Sequence, residues 1–375
     1  MAAHKSRVVL VAGARPNFMK VAPIIRELRK YGDVFDWRLV HTGQHYDRGM
    51  SDVFFDELGI PPPDFHMGTG GGSHAEQTAR IMIAFEQYCL DAKPDLVMVV
   101  GDVNSTLACS IVAKKLNVSV AHVEAGLRSG DMSMPEEINR IVTDAISDFF
   151  FVTEPSGVDN LKREGHPEHK IHFVGHVMID NLFFQLERLK QLDCKQFRTE
   201  AMKRSFNRYG VVTLHRPSNV DQRSTLAGIV DALASISTQL PLVFAVHPRT
   251  ETALNRFGLI LPKSIVRTGP LPYMEFLNLW KDASVVLTDS GGLQEETTAL
   301  GIPCITLRDN TERPITVTEG TNVLVGTDPE KIKKAFCYSA TKSSRPATVR
   351  RPMYWDGHAS ERLIEILVSS THLYS

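Results

Sequence analysis

Short apolar runs recur along this chain, most of them ending abruptly in a glycine or a polar residue. Arg7–Gly13, Trp37–Thr42, Leu96–Val100, Val118–Val123, Phe149–Thr153 and His172–Gly175 make one series. Such runs lack the alternation of a half-exposed strand. They suit a parallel sheet covered by helices on both faces. Between them the spacing predicts helices from about Phe18 to Lys30, over Asp52–Leu58 and Ser73–Leu90, from about Ser105 to Leu116, and onward from Pro135. Pro23 marks a kink or a late start in the first of these. Ser73 and Glu76 stand in capping-box register. The Gly-rich run 68–72 follows no strand, so it is not a dinucleotide fingerprint.

A second series follows: Val211–Leu214, Leu242–Val246, Ile265–Thr268, Val285–Thr288, Cys304–Leu307 and Asn322–Val325. A charged stretch without strands, Gln185 to Arg208, separates the two series. The pattern predicts two Rossmann-like, doubly wound α/β domains facing across a cleft. They are set at residues 1–180 and 181–358, with 359–375 a C-terminal helix that could pack back on the first domain.

Composition narrows the class. A length of 375 residues fits two domains, and 43% apolar residues is ample for two cores. Lysine plus arginine (42) nearly balance aspartate plus glutamate (43), so no global basic field argues for a nucleic-acid partner. The five cysteines form no CxxC pair, which fits reduced core thiols rather than a structural metal site. The N-terminal apolar run leads straight into a strand pattern, and no stretch is long enough to span a membrane. A soluble, cytoplasmic protein without a membrane partner is expected.

Ligands of open α/β sheets bind beyond the carboxyl ends of the strands, and polar residues gather there. Arg15 and Lys20 follow the first strand, Gln44 and His45 the second. Asp102 ends LVMVVGD and Glu124 ends VSVAHVE. In the second series His215 and Arg216, His247 and Arg249, and Asp289 and Ser290 take these places. Each has a bland reading. Asp102 reads first as the cap of the following helix. His215 and His247 could be core or cap residues, and Arg15 and Lys20 could be solvated. Glu124 is harder to dismiss, since no helix starts beside it. Glu136 and Glu137, after Pro135, read as a charged helix start, with one carboxylate turned inward as the sharper alternative.

The segment 284–301, SVVLTDSGGLQEETTALG, carries the clearest chemistry. A strand, a small-residue turn and a helix start bring free N–H groups and the positive end of a helix dipole together, which suits an anion. Gly291 and Gly292 would let a phosphate approach, while Ser290 could cap the helix or donate to the anion. Glu295 and Glu296, one turn on, suit neutral hydroxyls and so point to a nucleotide. Arg313, in RDNTERP, is a second phosphate clamp or a surface-loop residue.

The ordered motifs RPNFMKVAPI, TGQHYD, GDVNSTLA, HVEAGLRSGD, PEEINR, HRPSN, TDSGGLQEE, RDNTERP and TEGTNVLVG, from roughly Val8 to Gly326, resemble the non-hydrolysing UDP-N-acetylglucosamine 2-epimerases. The resemblance implies the glycosyltransferase-B fold and a UDP-sugar substrate. It implies neither redox cofactor nor metal, and a homodimer. It further implies that Asp102, Glu124 and Glu136 are the catalytic carboxylates and that His215 stands near the departing phosphate. Arg15, Lys20 and Arg313 would contact the nucleotide sugar. Ser290, Gly291 and Gly292 would cradle the diphosphate, Glu296 hold the ribose, and Leu271 and Phe276 flank the uracil. Many members read RPE where this chain has Arg15-Pro16-Asn17. The reaction implied is reversible epimerisation at C2, by UDP elimination to 2-acetamidoglucal and re-addition. A hydrolysing variant, an epimerase of a modified UDP-2-acetamido sugar, a glycosyltransferase of the same fold and a nucleotide-sugar sensor stay open.

Overall fold

The computed structural model describes residues 5–44, 52–341 and 350–370. The chain divides into two compact units, Met1–Phe183 with Met353–Ser375, and Phe184–Pro352. The division falls inside the helix Val177–Gln191, and the charged stretch after it is largely helical rather than an open linker.

Among the described residues the first unit holds seven strands: β1 (Ser6–Ala12), β2 (Phe35–His41), β3 (Phe65–His66), β4 (Leu96–Val100), β5 (Ser119–Val123), β6 (Phe149–Val152) and β7 (Ile171–Phe173). They pair in parallel in the order β3-β2-β1-β4-β5-β6-β7. The second unit holds β8 (Gly210–Thr213), β9 (Leu242–Ala245), β10 (Ile265–Thr268), β11 (Val285–Thr288), β12 (Cys304–Thr306) and β13 (Asn322–Leu324). These also pair in parallel, in the order β10-β9-β8-β11-β12-β13. Both sheets are doubly wound, as the continuous apolar runs predict. Strand order reverses between β1 and β4 in one unit and between β8 and β11 in the other, and such switch points are where these sheets bind ligands. The two-residue β3 escaped the sequence reading because its exposed side chains carry no pattern.

Helices cover both sheets. In the first unit Ile81, Phe85, Cys89, Ala108, Cys109 and Val112 pack on Val9, Val11, Val97 and Val99. Each large apolar side chain buried this way contributes about 1.5–3 kcal/mol. Cys89 and Cys109 are free thiols, and burial pushes Cys89 up to about 12, so neither is a ready nucleophile. In the second unit Leu226, Ile229, Leu233 and Ile236 pack with Val212, Phe244 and Leu287.

The helix after β1 runs Arg15–Leu28, beginning earlier than its apolar spacing predicts, with Pro23 inside it. Two features allow the early start. Pro16 sits in the first turn, where a missing N–H costs nothing. The Asn17 Oδ1 accepts the N–H groups of Gly13 (3.0 Å) and Ala14 (2.9 Å), closing the turn. The Asn17 amide also reaches the Val100 carbonyl at 3.3 Å, tying this turn to the end of β4. Burial of Phe18, Ile24 and Ile25 outweighs the bond that Pro23 cannot make.

The C-terminal helix Ala359–Ser369 packs on the helix Arg15–Leu28. Asp180 receives its first turn: its carboxylate accepts the N–H of Ala359 (3.1 Å) and the N–H and hydroxyl of Ser360 (2.7 and 2.6 Å). Gly175 fits beneath the returning chain only because it lacks a side chain. Its φ is +93°, and a Cβ there would stand 2.1 Å from the Tyr354 carbonyl oxygen.

Candidate active site

In the first unit the ends of β1, β4 and β5 bring Lys20, Asp102 and Glu124 to the carboxyl edge of the sheet. Asp102 does not cap the helix Asn104–Lys115, which corrects the simpler sequence reading. The residue at that cap is Val103, and the side chain of Gln44 accepts the Ser105 N–H at 3.0 Å instead. The Asp102 carboxylate is turned to Arg140, 2.5 Å away, and its backbone carbonyl accepts from Asn139 at 2.8 Å. Arg140 is itself held by Glu137 at 2.6 Å.

Glu124 sits just past β5 with φ +71°, an unfavourable conformation for a residue with a side chain. Its N–H and that of Ala125 both reach the Phe151 carbonyl, which fixes the strained turn. One carboxylate oxygen lies 2.5 Å from the Lys20 ammonium, the other 3.8 Å from the His176 ring. The carboxylate is almost wholly enclosed, between the Lys20 ammonium and the His176 ring. The glycine of Gly101-Asp102 allows the close approach, since a Cβ there would meet Lys20 Nζ at 3.1 Å.

Glu136 and Glu137 are neighbours with opposite situations. Glu137 is buried and accepts the N–H groups of Ser129 and Gly130 as well as Arg140. Burial would raise its pKa, but those bonds outweigh the burial and hold it below the ordinary glutamate range. It is a structural brace. Glu136 is half-buried, and its side chain enters no hydrogen bond or ion pair among the described residues. Both stand in the first turn of the helix, as the charged helix start predicts, and the one without a side-chain partner is the one that the family resemblance singles out.

Arg15 opens its helix with its guanidinium 5.0 Å from the Phe54 ring centroid. Gln44 is bound into the base of the unit through Ser105 and Gln77. His45 lies outside the described residues.

In the second unit the ends of β8 and β11 meet. Asp289 is fully buried and accepts from the N–H groups of His215 (2.9 Å) and Arg216 (2.8 Å), from the Asn219 amide (3.1 Å) and from His215 Nδ1 (2.8 Å). The bond from Nδ1 orients the ring and leaves Nε2 as the nitrogen available for other work. The rings of His215 and His247 are 5.7 Å apart. His247 is occupied as the cap of the helix Pro248–Phe257, accepting from the Arg249 N–H at 3.2 Å, while Arg249 pairs with Asp221. His247 thus follows its reading as a cap residue.

The helix Gly291–Leu300 starts directly after this cluster. Ser290 is its N-cap residue but makes no capping bond, so its hydroxyl and the first N–H groups are not used up within the helix. A Cβ on Gly292 would meet nothing within 4 Å, whereas one on Gly291 would meet Glu312 at 2.8 Å. Glu312 is paired with Arg308 at 2.8 Å. Burial opposes its ionisation, but Arg308 outweighs burial and holds it at about 2.

One turn on, the two glutamates diverge. Glu295 pairs with Arg313, which is therefore a buried partner and not a surface-loop residue. Glu296 accepts from the Tyr273 hydroxyl at 2.9 Å, and burial raises it to about 7 despite that bond. Leu271 and Phe276 are half-buried near the start of the helix Tyr273–Trp280. The raised carboxyl has a consequence for stability. The folded state binds the Glu296 proton more tightly than the unfolded chain does. Its contribution is full below the ordinary glutamate pKa and is lost as pH rises through about 7. Thermal unfolding followed from about pH 5 to pH 8 is expected to show a slope that Glu296→Gln flattens, by on the order of 2 kcal/mol. Parallel profiles for the two proteins would contradict this.

Sequence reasoning missed Arg140, His176, Asn219 and Tyr273. Arg140 was in view within PEEINR, but only the fold sets it on Asp102. Tyr273 was hidden in an apolar run.

Two parallel doubly wound units, each with polar groups at its switch point, define an α/β protein of the glycosyltransferase-B type. The family model for UDP-N-acetylglucosamine 2-epimerase matches residues 26–368. The chain belongs to that family. It is 42% identical over 373 residues to a UDP-N-acetylglucosamine 2-epimerase of Methanocaldococcus jannaschii, covering 96% of this chain and 98% of the relative. It is 40% identical over 364 residues to a UDP-2,3-diacetamido-2,3-dideoxy-D-glucuronate 2-epimerase of Pseudomonas aeruginosa, covering 96% and 99%. A crystal structure of the Methanocaldococcus jannaschii UDP-GlcNAc 2-epimerase, in complex with UDP-GlcNAc and UDP, superposes with a TM-score of 0.85 at 41% identity. That match covers 97% of this chain and 99% of the other. Among the described residues no helix is long and apolar enough to cross a membrane, and no cluster of histidine, cysteine and carboxylates could hold a metal ion.

Proposed function

We propose that the protein interconverts UDP-N-acetylglucosamine and UDP-N-acetylmannosamine without net hydrolysis. The observation that carries this is the division of labour between the units. Carboxylates with cationic partners stand at the switch point of one. A helix start with uncommitted donors and an oriented histidine stands at the switch point of the other.

The chemistry explains the need for both. C2 of the sugar is not beside a carbonyl, so its proton is not acidic. A base takes it while the C1–O bond breaks and UDP leaves with the electron pair, giving 2-acetamidoglucal. UDP then attacks C1 again, and C2 takes a proton from the opposite face. Inversion requires proton-transfer groups on both faces, which Asp102, Glu124 and Glu136 supply between them. Charge that grows on the diphosphate is met by Ser290, the N–H groups of Gly291 and Gly292, and His215. Arg15, Lys20 and Arg313 bind the nucleotide sugar. Glu296 accepts from the ribose hydroxyls, and Leu271 and Phe276 flank the uracil.

Proton NMR of the protein with UDP-N-acetylglucosamine in heavy water tests the reading. UDP-N-acetylmannosamine carrying deuterium at C2 is expected. Bulk UDP with free N-acetylmannosamine would establish a hydrolysing enzyme instead. A second reading, a modified UDP-2-acetamido sugar as substrate, is favoured by the nearly equal similarity to the Pseudomonas aeruginosa relative. Turnover of a UDP-diacetamido-glucuronate in the same assay, with none of UDP-N-acetylglucosamine, would select it.

A further inference from the structure

A fully buried pair, His122 and Asp144, lies behind the carboxylates and has no part in the mechanism above. His122 belongs to β5, in the middle of an apolar strand, and both its ring nitrogens are bound. Nδ1 lies 2.6 Å from an Asp144 oxygen, and Nε2 lies 2.8 Å from the Gly101 carbonyl. A carbonyl oxygen can only accept, so Nε2 carries a proton. Asp144 also accepts the Gly126 N–H at 3.0 Å and meets the Arg128 guanidinium at 2.7 Å. Burial works against its ionisation, but His122 and Arg128 together hold it below the ordinary aspartate range. Nδ1 and the Asp144 oxygen that faces it share a proton between them.

The ring therefore clamps three elements. Through Nε2 it holds Gly101, whose φ of +68° turns the chain out of β4 toward Asp102. As part of β5 it sits two residues before Glu124. Through Asp144 it holds the helix Pro135–Ile146, which carries Glu136 and the Arg140 that engages Asp102. Asp144 in turn fixes Gly126, just past the strained Glu124. Three carboxylates from three elements thus take their backbone positions from one buried ring.

We infer that His122, gripped at both nitrogens by Asp144 and the Gly101 carbonyl, is a positioning residue that sets Asp102, Glu124 and Glu136 relative to one another. The inference rests on the epimerase reading for the roles of those carboxylates. A displacement on the order of 1 Å costs about 100-fold in rate. His122→Asn can keep a donor to Asp144 but not one to Gly101. Its kcat is expected to fall about 100-fold, with KM and calorimetric UDP affinity within about threefold of the parent. His122→Gln, whose amide reaches further along the side chain toward Gly101, is expected to recover a substantial part of that loss. Equal kcat in His122→Asn and the parent would overturn the inference, as would a loss shared equally between kcat and UDP affinity. A second measurement needs no variant. Nitrogen-15 NMR of the intact protein labelled at histidine is expected to show a proton on His122 Nε2, the nitrogen that faces the Gly101 carbonyl, and a bare Nε2 would overturn the clamp. If the parent protein turned over neither UDP sugar, the epimerase reading would fall, and the imidazole signals would still decide how His122 is held.

Discussion

Asp102→Asn is expected to abolish deuterium exchange at C2 while leaving the fold and UDP binding intact. The carboxylate stands at the first unit's switch point, partly open to solvent, with Arg140 at 2.5 Å. Loss of a proton-transfer group removes about 10²–10⁴ of rate. Elimination cannot begin without its base, so the upper end of that range is expected if Asp102 is that base. The stability cost should be small. Asn keeps an acceptor for Arg140, and a partly exposed ion pair contributes about 0–1 kcal/mol. Arg140 also retains Glu137. The measurement is exchange at C2 by NMR, beside UDP calorimetry and a melting curve. Exchange at the parent rate would remove Asp102 from the chemistry, and a collapsed melting curve would make it a structural residue instead.

Asp289→Ala is expected to give the largest loss of stability, and a loss of UDP affinity with it. The carboxylate is completely buried and takes two backbone N–H groups, the Asn219 amide and the His215 ring. Removing it leaves the buried Asn219 amide and the half-buried N–H groups of His215 and Arg216 without their acceptor. Breaking such a site costs about 3–5 kcal/mol. It also frees the His215 ring and loosens the approach to Ser290, so binding should weaken along with stability. Asp289→Asn should fall between, because it keeps one acceptor oxygen and turns an NH2 toward donors. The pH dependence has a definite sign. Burial would raise the pKa of Asp289, but the bonds and charge from His215 and Arg216 outweigh it and hold the group below the ordinary aspartate range. Its contribution is present above the unfolded-state pKa and is lost as pH falls through the folded-state value. The parent should therefore lose stability more steeply than Asp289→Ala at acidic pH. Parallel acid-unfolding curves would argue against the role assigned to this carboxylate.

Much of this molecule was legible in the chain. Continuous apolar runs dictated strands buried on both faces, and buried parallel strands with intervening helices leave few architectures open. The positions of Asp102, Glu124, His215 and Asp289 at strand ends followed from the same runs, because a buried strand turns polar most readily where it leaves the sheet. The start of the helix Arg15–Leu28 did not follow, since it depends on Asn17 bonding back across its own turn. Likewise, the edge strand β3 is too short and exposed to leave a periodic signal.

What each polar residue does was a matter of partners, and partners come from far along the chain. Sequence spacing left Glu136 and Glu137 as equals. The tertiary structure spends Glu137 on Arg140 and two backbone N–H groups and leaves Glu136 uncommitted. Likewise it separates Glu295, paired with Arg313, from Glu296, under Tyr273. His122 looked like one more strand residue until Gly101 and Asp144 closed on both its nitrogens. The sequence by itself determined two parallel sheets, the residues at their rims and the family. The tertiary structure alone decided which partner each carboxylate takes. Periodicity records which face of an element is buried, whereas hydrogen bonding and charge pairing depend on contacts that only the folded chain creates.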